Sequence, residues 1–226
     1  MKTVVLASGG LDSTVLLHQA VKANGAENVI ALSIYYGQKH KKELEYVKWQ
    51  AEKLGVQLFV EDLSAVFKFN KDASALLEGS SREIVHESYA EQIKADGLVS
   101  AYVPYRNGLF LSYAAAVAMQ LGADLVLYGA HADDAAGDAY PDCTPEFIEA
   151  QAKAIERGTG DRVHMKAPWY HMNKTEVVRE GLNLGMTQED FEHTWSCYEG
   201  AEEPCGTCGT CRDRIAAFRA NGLTCN

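Results

Sequence analysis

The chain has 226 residues, 47% of them hydrophobic, and a formal net charge of −10 from 31 acidic and 21 basic side chains. That length suits one good-sized α/β domain with a small appendage. The acid excess excludes a general electrostatic pull towards nucleic acid or an anionic membrane, leaving only a local basic patch as a route to either.

The first element, TVVLA at 3–7, reads as a short buried strand, and residues 12–24 carry apolar side chains at helical spacing. NVIALSIYY at 28–36, rich in β-branched and aromatic residues, is a second strand; 40–54 is helical and VQLFVED at 56–62 a third strand. Residues 65–100 are polar and irregular, as expected of an insertion that shapes or covers a site. A strong apolar helix follows over 106–121, then the strand ADLVLYGA at 123–130. Gln120, Gly122 and Asp124 interrupt this apolar stretch, so it reads as a buried helix and strand rather than a membrane span. Pro145 opens a helix over 146–157, and VHMKAP at 163–168 is a strand. Asn173, three residues before Glu176, forms a capping box for a helix that ends at Gly185. Strand and helix alternate throughout, which predicts an α/β fold: a Rossmann-like parallel sheet with helices on both faces.

Such folds bind ligands at the carboxyl ends of their strands. SGGLDS, residues 8–13, stands at the end of the first strand and the start of the first helix. Helix-start amides there are unpaired and electropositive, which suits an anion. Gly9 and Gly10 permit positive φ and remove the side chains that would keep a phosphate away. Ser8 and Ser13 add hydroxyl donors. Asp12 is the odd member, because a carboxylate repels phosphate; it fits if it holds Mg²⁺ bridged to the phosphates. The other reading is a tight turn in which Asp12 or Ser13 merely caps the helix.

Cys197, Cys205, Cys208 and Cys211 form a second constellation, in CYEGAEEPCGTCGTC. Two successive C-x-x-C steps bring three thiolates to one point, and Cys197 returns as the fourth across a turn containing Gly200 and Pro204. Four thiolates match structural zinc. Two disulfides, a redox C-x-x-C or an iron–sulfur cluster are the alternatives. The chain shows no export signal, since five apolar residues before Ser8 are too few for a signal-peptide core, so disulfides are disfavoured and a cytoplasmic location is expected. Cys143 and Cys225 stand apart. The organisation read from these two constellations is an α/β domain over 1–190 and a zinc-binding, helical segment over 191–226. The zinc is expected to fold residues 195–215, remote from the reacting atoms.

SGGLDS lacks the lysine and spacing of G-x-x-x-x-G-K-[ST]. It resembles instead the PP-loop of the ATP pyrophosphatases, which cleave ATP between its α- and β-phosphates. Together with the four cysteines, YYGQKH (35–40), VPYRN (103–107), YPDCTPEF (140–147) and WSCYEG (195–200) make the chain similar to the 7-cyano-7-deazaguanine synthase family over nearly its whole length. Tyr105 stands where members often read glycine or phenylalanine, and the segment 129–143 is longer than in some members; both departures are expected to touch the substrate pocket.

The resemblance implies that 7-carboxy-7-deazaguanine, ammonia and ATP are the substrates. Adenylation activates the carboxylate, ammonia gives the amide, and a second adenylation yields the nitrile. Mg²⁺ neutralises the phosphates, and Ala7, Ser8, Gly9, Gly10, Leu11, Asp12, Ser13 and Thr14 hold them. Asp12, Ser13, Arg106 and Lys174 are the implied catalytic groups, the last two as cations for the phosphates or as ordinary capping and solvated side chains. Asn107 and Asp142 either hydrogen-bond the deazaguanine edge or order the loops around it. Tyr35 and Tyr36 flank adenine or fill a buried strand, and His40 and His131 bind nucleotide or are structural. A homodimer is the family's usual state. An amide-forming relative, a tRNA-thiolating PP-loop enzyme and a non-enzymatic zinc module are the competing readings. Acidity weighs against the last two, because the cysteine loop EGAEEP is acidic where a phosphate binder should be basic.

Overall fold

The computed structural model describes residues 1–86, 92, 98–135 and 139–225. Among them, five strands form one sheet: β1 (Thr3–Leu6), β2 (Val29–Tyr35), β3 (Gln57–Asp62), β4 (Leu125–Leu127) and β5 (His164–Lys166), in the order β3-β2-β1-β4-β5. Every pairing is parallel, and Thr3 of β1 faces Val29 on one side and Leu125 on the other. The chain first steps outward from β1 through β2 to β3, then crosses back to place β4 on β1's other side. That reversal opens a crevice at the carboxyl ends of β1 and β4, where such sheets bind ligands.

The connecting helices are α1 (Leu11–Asn24), α2 (Lys42–Leu54), α3 (Arg106–Leu121), α4 (Ala132–Ala135), α5 (Pro145–Gly158), α6 (Lys174–Leu184), α7 (Gln188–Glu192) and α8 (Gly209–Ala220). Alternate strand residues point to opposite faces. Val4, Ile30, Leu32 and Ile34 therefore pack with Leu111 and Ala114 of α3 and Ile148 of α5. Val5, Val29 and Ala31 pack on the other face with Val15 of α1, Val47 of α2, Val177 of α6 and Phe218 of α8. Both faces of the sheet are covered, as the alternating pattern predicts.

Element boundaries shift where tertiary contacts intervene. Helix α2 begins at Lys42 rather than residue 40, and β4 is three residues long rather than eight. Beyond β4, Gly129 passes the start of α1, where a Cβ would sit 3.4 Å from the Ser13 backbone. The capping box on α6 and its Gly185 end are as read from the sequence. Of the irregular 65–100 stretch, residues 87–91 and 93–97 lie outside the described residues. The part before them is not wholly polar surface: Ala75, Leu76 and Leu77 are buried in the core beside Tyr36.

The C-terminal residues share the second core. Phe191 and Phe218 meet edge to face at 5.7 Å, both fully buried. Gly181 of α6 makes room for the Phe191 ring, because a Cβ there would come within 2.8 Å of it. Arg214 of α8 donates to the Phe191 carbonyl at 2.7 Å and to Thr194 Oγ1 at 2.6 Å, satisfying polar groups at the end of α7. Phe191→Ala is expected to cost about 3–5 kcal/mol of stability, read as a lower urea midpoint; a midpoint unchanged from wild type contradicts this packing account.

Candidate active site

The turn between β1 and α1 is shaped by its own small residues. Gly9 takes φ +92°, whereas Gly10 has φ −74° and needs no special freedom. Of the two glycines that permit positive φ, only Gly9 uses it. A Cβ on Gly9 would run into the backbone carbonyl of Glu43, so the turn rests directly on the first turn of α2. The Ser8 amide donates to Ser13 Oγ at 3.2 Å, and the Gly10 amide to Ser8 Oγ at 3.0 Å. Ser13 Oγ in turn donates to the Gly10 carbonyl at 3.2 Å. No side chain caps α1, so neither Asp12 nor Ser13 is the simple helix cap.

Asp12 sits in a dense charge cluster. Its Oδ2 lies 3.7 Å from Lys174 Nζ and 3.5 Å from His131 Nε2, while its buried Oδ1 has no hydrogen-bond partner. Burial opposes its charge, yet Lys174 and then His131 hold the carboxyl well below the usual range. Lys174 opens α6 and is itself buried; burial works against its ammonium, but Asp12, Asp134, Asp213 and Asp133 together keep it charged. The Lys174 amide donates to Asp133 Oδ2 at 2.8 Å. His131 Nε2 also lies 3.4 Å from Asp134, and despite burial its pKa is raised, by Asp134 and then Asp12.

Arg106 is the first residue of α3. Its guanidinium donates to the Tyr36 hydroxyl at 3.0 Å and to Asn107 Oδ1 at 3.3 Å. Asn107 and Asp142 bond each other: the Asn107 amide donates to Asp142 Oδ2 at 2.9 Å and its Nδ2 to Oδ1 at 3.1 Å. Asp142 is 3% exposed and Asn107 5%, so this pair fastens the 140–143 turn to the start of α3. Only Tyr36 of the aromatic pair faces the cavity; Tyr35 donates to Glu78 at 2.8 Å. Tyr105, at φ +54°, occupies a conformation that glycine takes without strain. Its ring is 57% exposed and packs on Phe147 rather than lining the cavity, so this departure from the family does not alter the pocket wall.

One cavity gathers these groups. Ala7, Ser8, Gly10, Leu11, Asp12 and Ser13 form one wall, with Arg106, Asn107 and Lys174 around it. Gly9 and Thr14 lie behind this surface, Gly9 against Glu43 and Thr14 buried, with its amide donating to the Gly10 carbonyl at 3.1 Å.

Trp195, Ser196, Tyr198 and Thr210 line the same cavity, Trp195 directly beside the turn. Neighbours of the cysteines thus reach the cavity, while Cys197, Cys205, Cys208 and Cys211 themselves do not line it. The Trp195 amide donates to the Gly9 carbonyl at 3.0 Å, tying that segment to the turn. The sulfurs of Cys197, Cys205, Cys208 and Cys211 all lie within 4.8 Å of one another, so the cluster could hold a metal ion. Cys205 Sγ and Cys211 Sγ are 3.9 Å apart, close to the roughly 3.8 Å edge of a tetrahedron with Zn–S bonds of about 2.3 Å. The amides of Cys205 and Cys208 donate to Cys197 Sγ and Cys205 Sγ at 3.3 Å, support usual around metal thiolates. Hydrogen bonding with Cys208 pushes the Cys197 thiol up to about 11, so a cation is what would let all four ionise together.

Comparison with known proteins agrees with this architecture. The solved structure of NMN synthetase from Francisella tularensis superposes with a TM-score of 0.52, covering 100% of this chain and 79% of that one at 15% identity, a likeness of fold alone. A parallel sheet with this turn at its switch point is an α/β fold of the PP-loop type, and the family match implies an ATP-using enzyme. A family model described as "Queuosine biosynthesis protein QueC" matches residues 2–222. The 7-cyano-7-deazaguanine synthases of Chromohalobacter salexigens and Caldicellulosiruptor saccharolyticus are 39% and 41% identical, each over 99% of this chain and over 84% and 93% of the relative. The chain belongs to the QueC family.

Sequence reasoning missed Glu43, Asp134 and Asp213. Glu43 lies in KHKKELE, a charge run indistinguishable from a solvated helix face, and Asp213 reaches Lys174 only through the packing of α8 on α6. Gly9→Ala combines a left-handed φ with a backbone overlap. It is expected to lower stability by about 1–3 kcal/mol or more and to abolish turnover; full stability in urea unfolding contradicts the close approach.

Proposed function

We propose that this chain converts 7-carboxy-7-deazaguanine, ammonia and ATP into 7-cyano-7-deazaguanine, the nitrile made in queuosine biosynthesis, releasing AMP and pyrophosphate. It is an enzyme of the ATP-dependent ligase type, as its named relatives are. The observation that carries the reading is the SGGLDS turn beside the half-buried Arg106 and the buried Lys174, in a chain that matches the family over 2–222.

The chain's own groups suit that reaction. Hydroxyls of Ser8 and Ser13 and the α1 amides would bind the departing pyrophosphate, and the Lys174 ammonium would offset its growing charge. Lys174 is fixed by the α6 cap and by Asp133, so it is preorganised rather than recruited. Arg106, held on the Tyr36 hydroxyl, supplies the second cation. Asn107 and Asp142 serve to order the loops, since they use their polar atoms on each other. The unpartnered Asp12 Oδ1 fits a divalent cation; Mg²⁺ held there would neutralise phosphate charge. Zinc on the four cysteines would fix residues 195–211 and with them the Trp195 wall. Among the described residues no helix is long and apolar enough to cross a membrane, which accords with a cytoplasmic enzyme. A homodimer completes the proposal.

With 7-carboxy-7-deazaguanine, ammonium and Mg·ATP, mass spectrometry and nucleotide analysis should find amide first, then nitrile, with two AMP and no ADP per nitrile. ADP as product, or no reaction of the acid, sinks the reading; amide alone makes the chain an amide-forming relative. Asp12→Asn should lower turnover by about 100-fold or more while the fold survives; unchanged Mg²⁺-dependent turnover rejects its role. Elemental analysis should find one zinc per chain, and Cys208→Ala should be protease-sensitive; an iron–sulfur chromophore or no metal contradicts the zinc assignment.

A further inference from the structure

The reaction proposed above leaves a chemical task that none of the groups assigned so far performs. Ammonia attacks the adenylated carbonyl with its lone pair, a C–N bond forms, and the C–O bond to AMP breaks with its electron pair leaving on phosphate. The nitrogen begins with a proton too many for an amide, and two more must leave on the way to the nitrile. A base inside the cavity is needed to accept them.

Among the described residues, the cavity wall offers Asp12, Glu43, Asp134 and His40 as acceptors. Asp12 is held as a weak base by Lys174 and His131, and Asp134 is engaged with His131. His40 is buried, and burial together with the Arg106 charge pushes it down to about 3, which leaves it neutral and a poor acceptor. Glu43 differs from all three. Its side chain is 15% exposed, its carboxylate receives no hydrogen bond from any described residue, and the neutral His40 ring stands beside it, Nε2 lying 3.7 Å from its Oε2. Its Oε1 comes within 3.5 Å of the point where a Cβ on Gly10 would stand, so the group reaches the edge of the phosphate turn. Its backbone is fixed there as well, because the Glu43 carbonyl is what Gly9 rests against.

We propose that Glu43 is the general base of the nitrogen steps, its carboxylate taking the proton that the attacking ammonia must lose. The proton moves from N–H to Glu43 Oε as AMP departs, and passes to solvent before the second adenylation. Burial, opposed by Arg106 and reinforced by Asp12, pushes this carboxyl up to about 8, which suits a base working near neutral pH. The inference rests on the reaction proposed in the preceding subsection.

Rapid-quench assays on the full chain separate the steps. Pyrophosphate release in the first turnover reports adenylation, and amide appearance reports attack by ammonia. Glu43→Gln should cut amide formation by about 100-fold or more, and by at least about 10-fold more than it cuts pyrophosphate release. Glu43→Asp, which keeps the carboxylate, should recover part of the amide rate, and it supplies the same comparison if the glutamine variant does not fold. An equal fall in both steps overturns the proposal and places Glu43 in the phosphate cradle. A fall in amide formation below about 3-fold overturns it also, since general bases contribute far more. Wild-type protein that forms no amide contradicts the underlying reaction itself, and is recognised before any variant is compared.

Discussion

The contact between Gly9 and the Glu43 carbonyl is the constraint on which the rest of the site depends. It needs a residue without a Cβ and with φ +92°, and only glycine meets both demands cheaply. The same residue accepts the Trp195 amide through its carbonyl. One turn thereby joins β1, the start of α2 and the cysteine-bearing C-terminal segment. On its far side Gly129, leaving β4, passes at van der Waals distance from Ser13. The sheet's switch point supplies the crevice, and these close approaches fix what lines it.

Electrostatics inside the crevice are balanced rather than simply basic. Arg106 is half-buried and Lys174 buried, and neither charge is held there without acidic or phenolic company. Asp12, Asp133, Asp134 and Asp213 surround Lys174, while Tyr36 and Asp142 face Arg106. An overall acidic chain is therefore compatible with a site for a triphosphate, because the cations are local and held in place. The surrounding carboxylates also limit how many phosphate charges the site takes without a divalent cation at Asp12. The C-terminal segment contributes in a second way, since Trp195, Ser196, Tyr198 and Thr210, which alternate along the chain with its cysteines, line the crevice.

Much of this was legible in sequence because it is local. SGGLDS carries its own turn, the Asn173–Glu176 box its own cap, and the paired C-x-x-C steps their own geometry. Hydrophobic alternation gave the parallel sheet and its two covered faces. What escaped depends on contacts distant in sequence. Glu43 looks like a solvated helix residue until Gly9 docks on its backbone. The bond between Asn107 and Asp142, across 35 residues, is another contact that no local pattern announces. That residues next to the cysteines reach the cavity shows only once Trp195 meets Gly9.

The central claim is that the turn from Ser8 to Ser13 binds the leaving pyrophosphate. A crystal structure of the protein with Mg²⁺ and an ATP analogue carrying a non-cleavable α,β-methylene bridge tests it most directly. The account predicts the β- and γ-phosphates within hydrogen-bond distance of the α1 first-turn amides and the Ser8 and Ser13 hydroxyls, with Lys174 beside them. A triphosphate seated elsewhere, with that turn bare of phosphate, contradicts it.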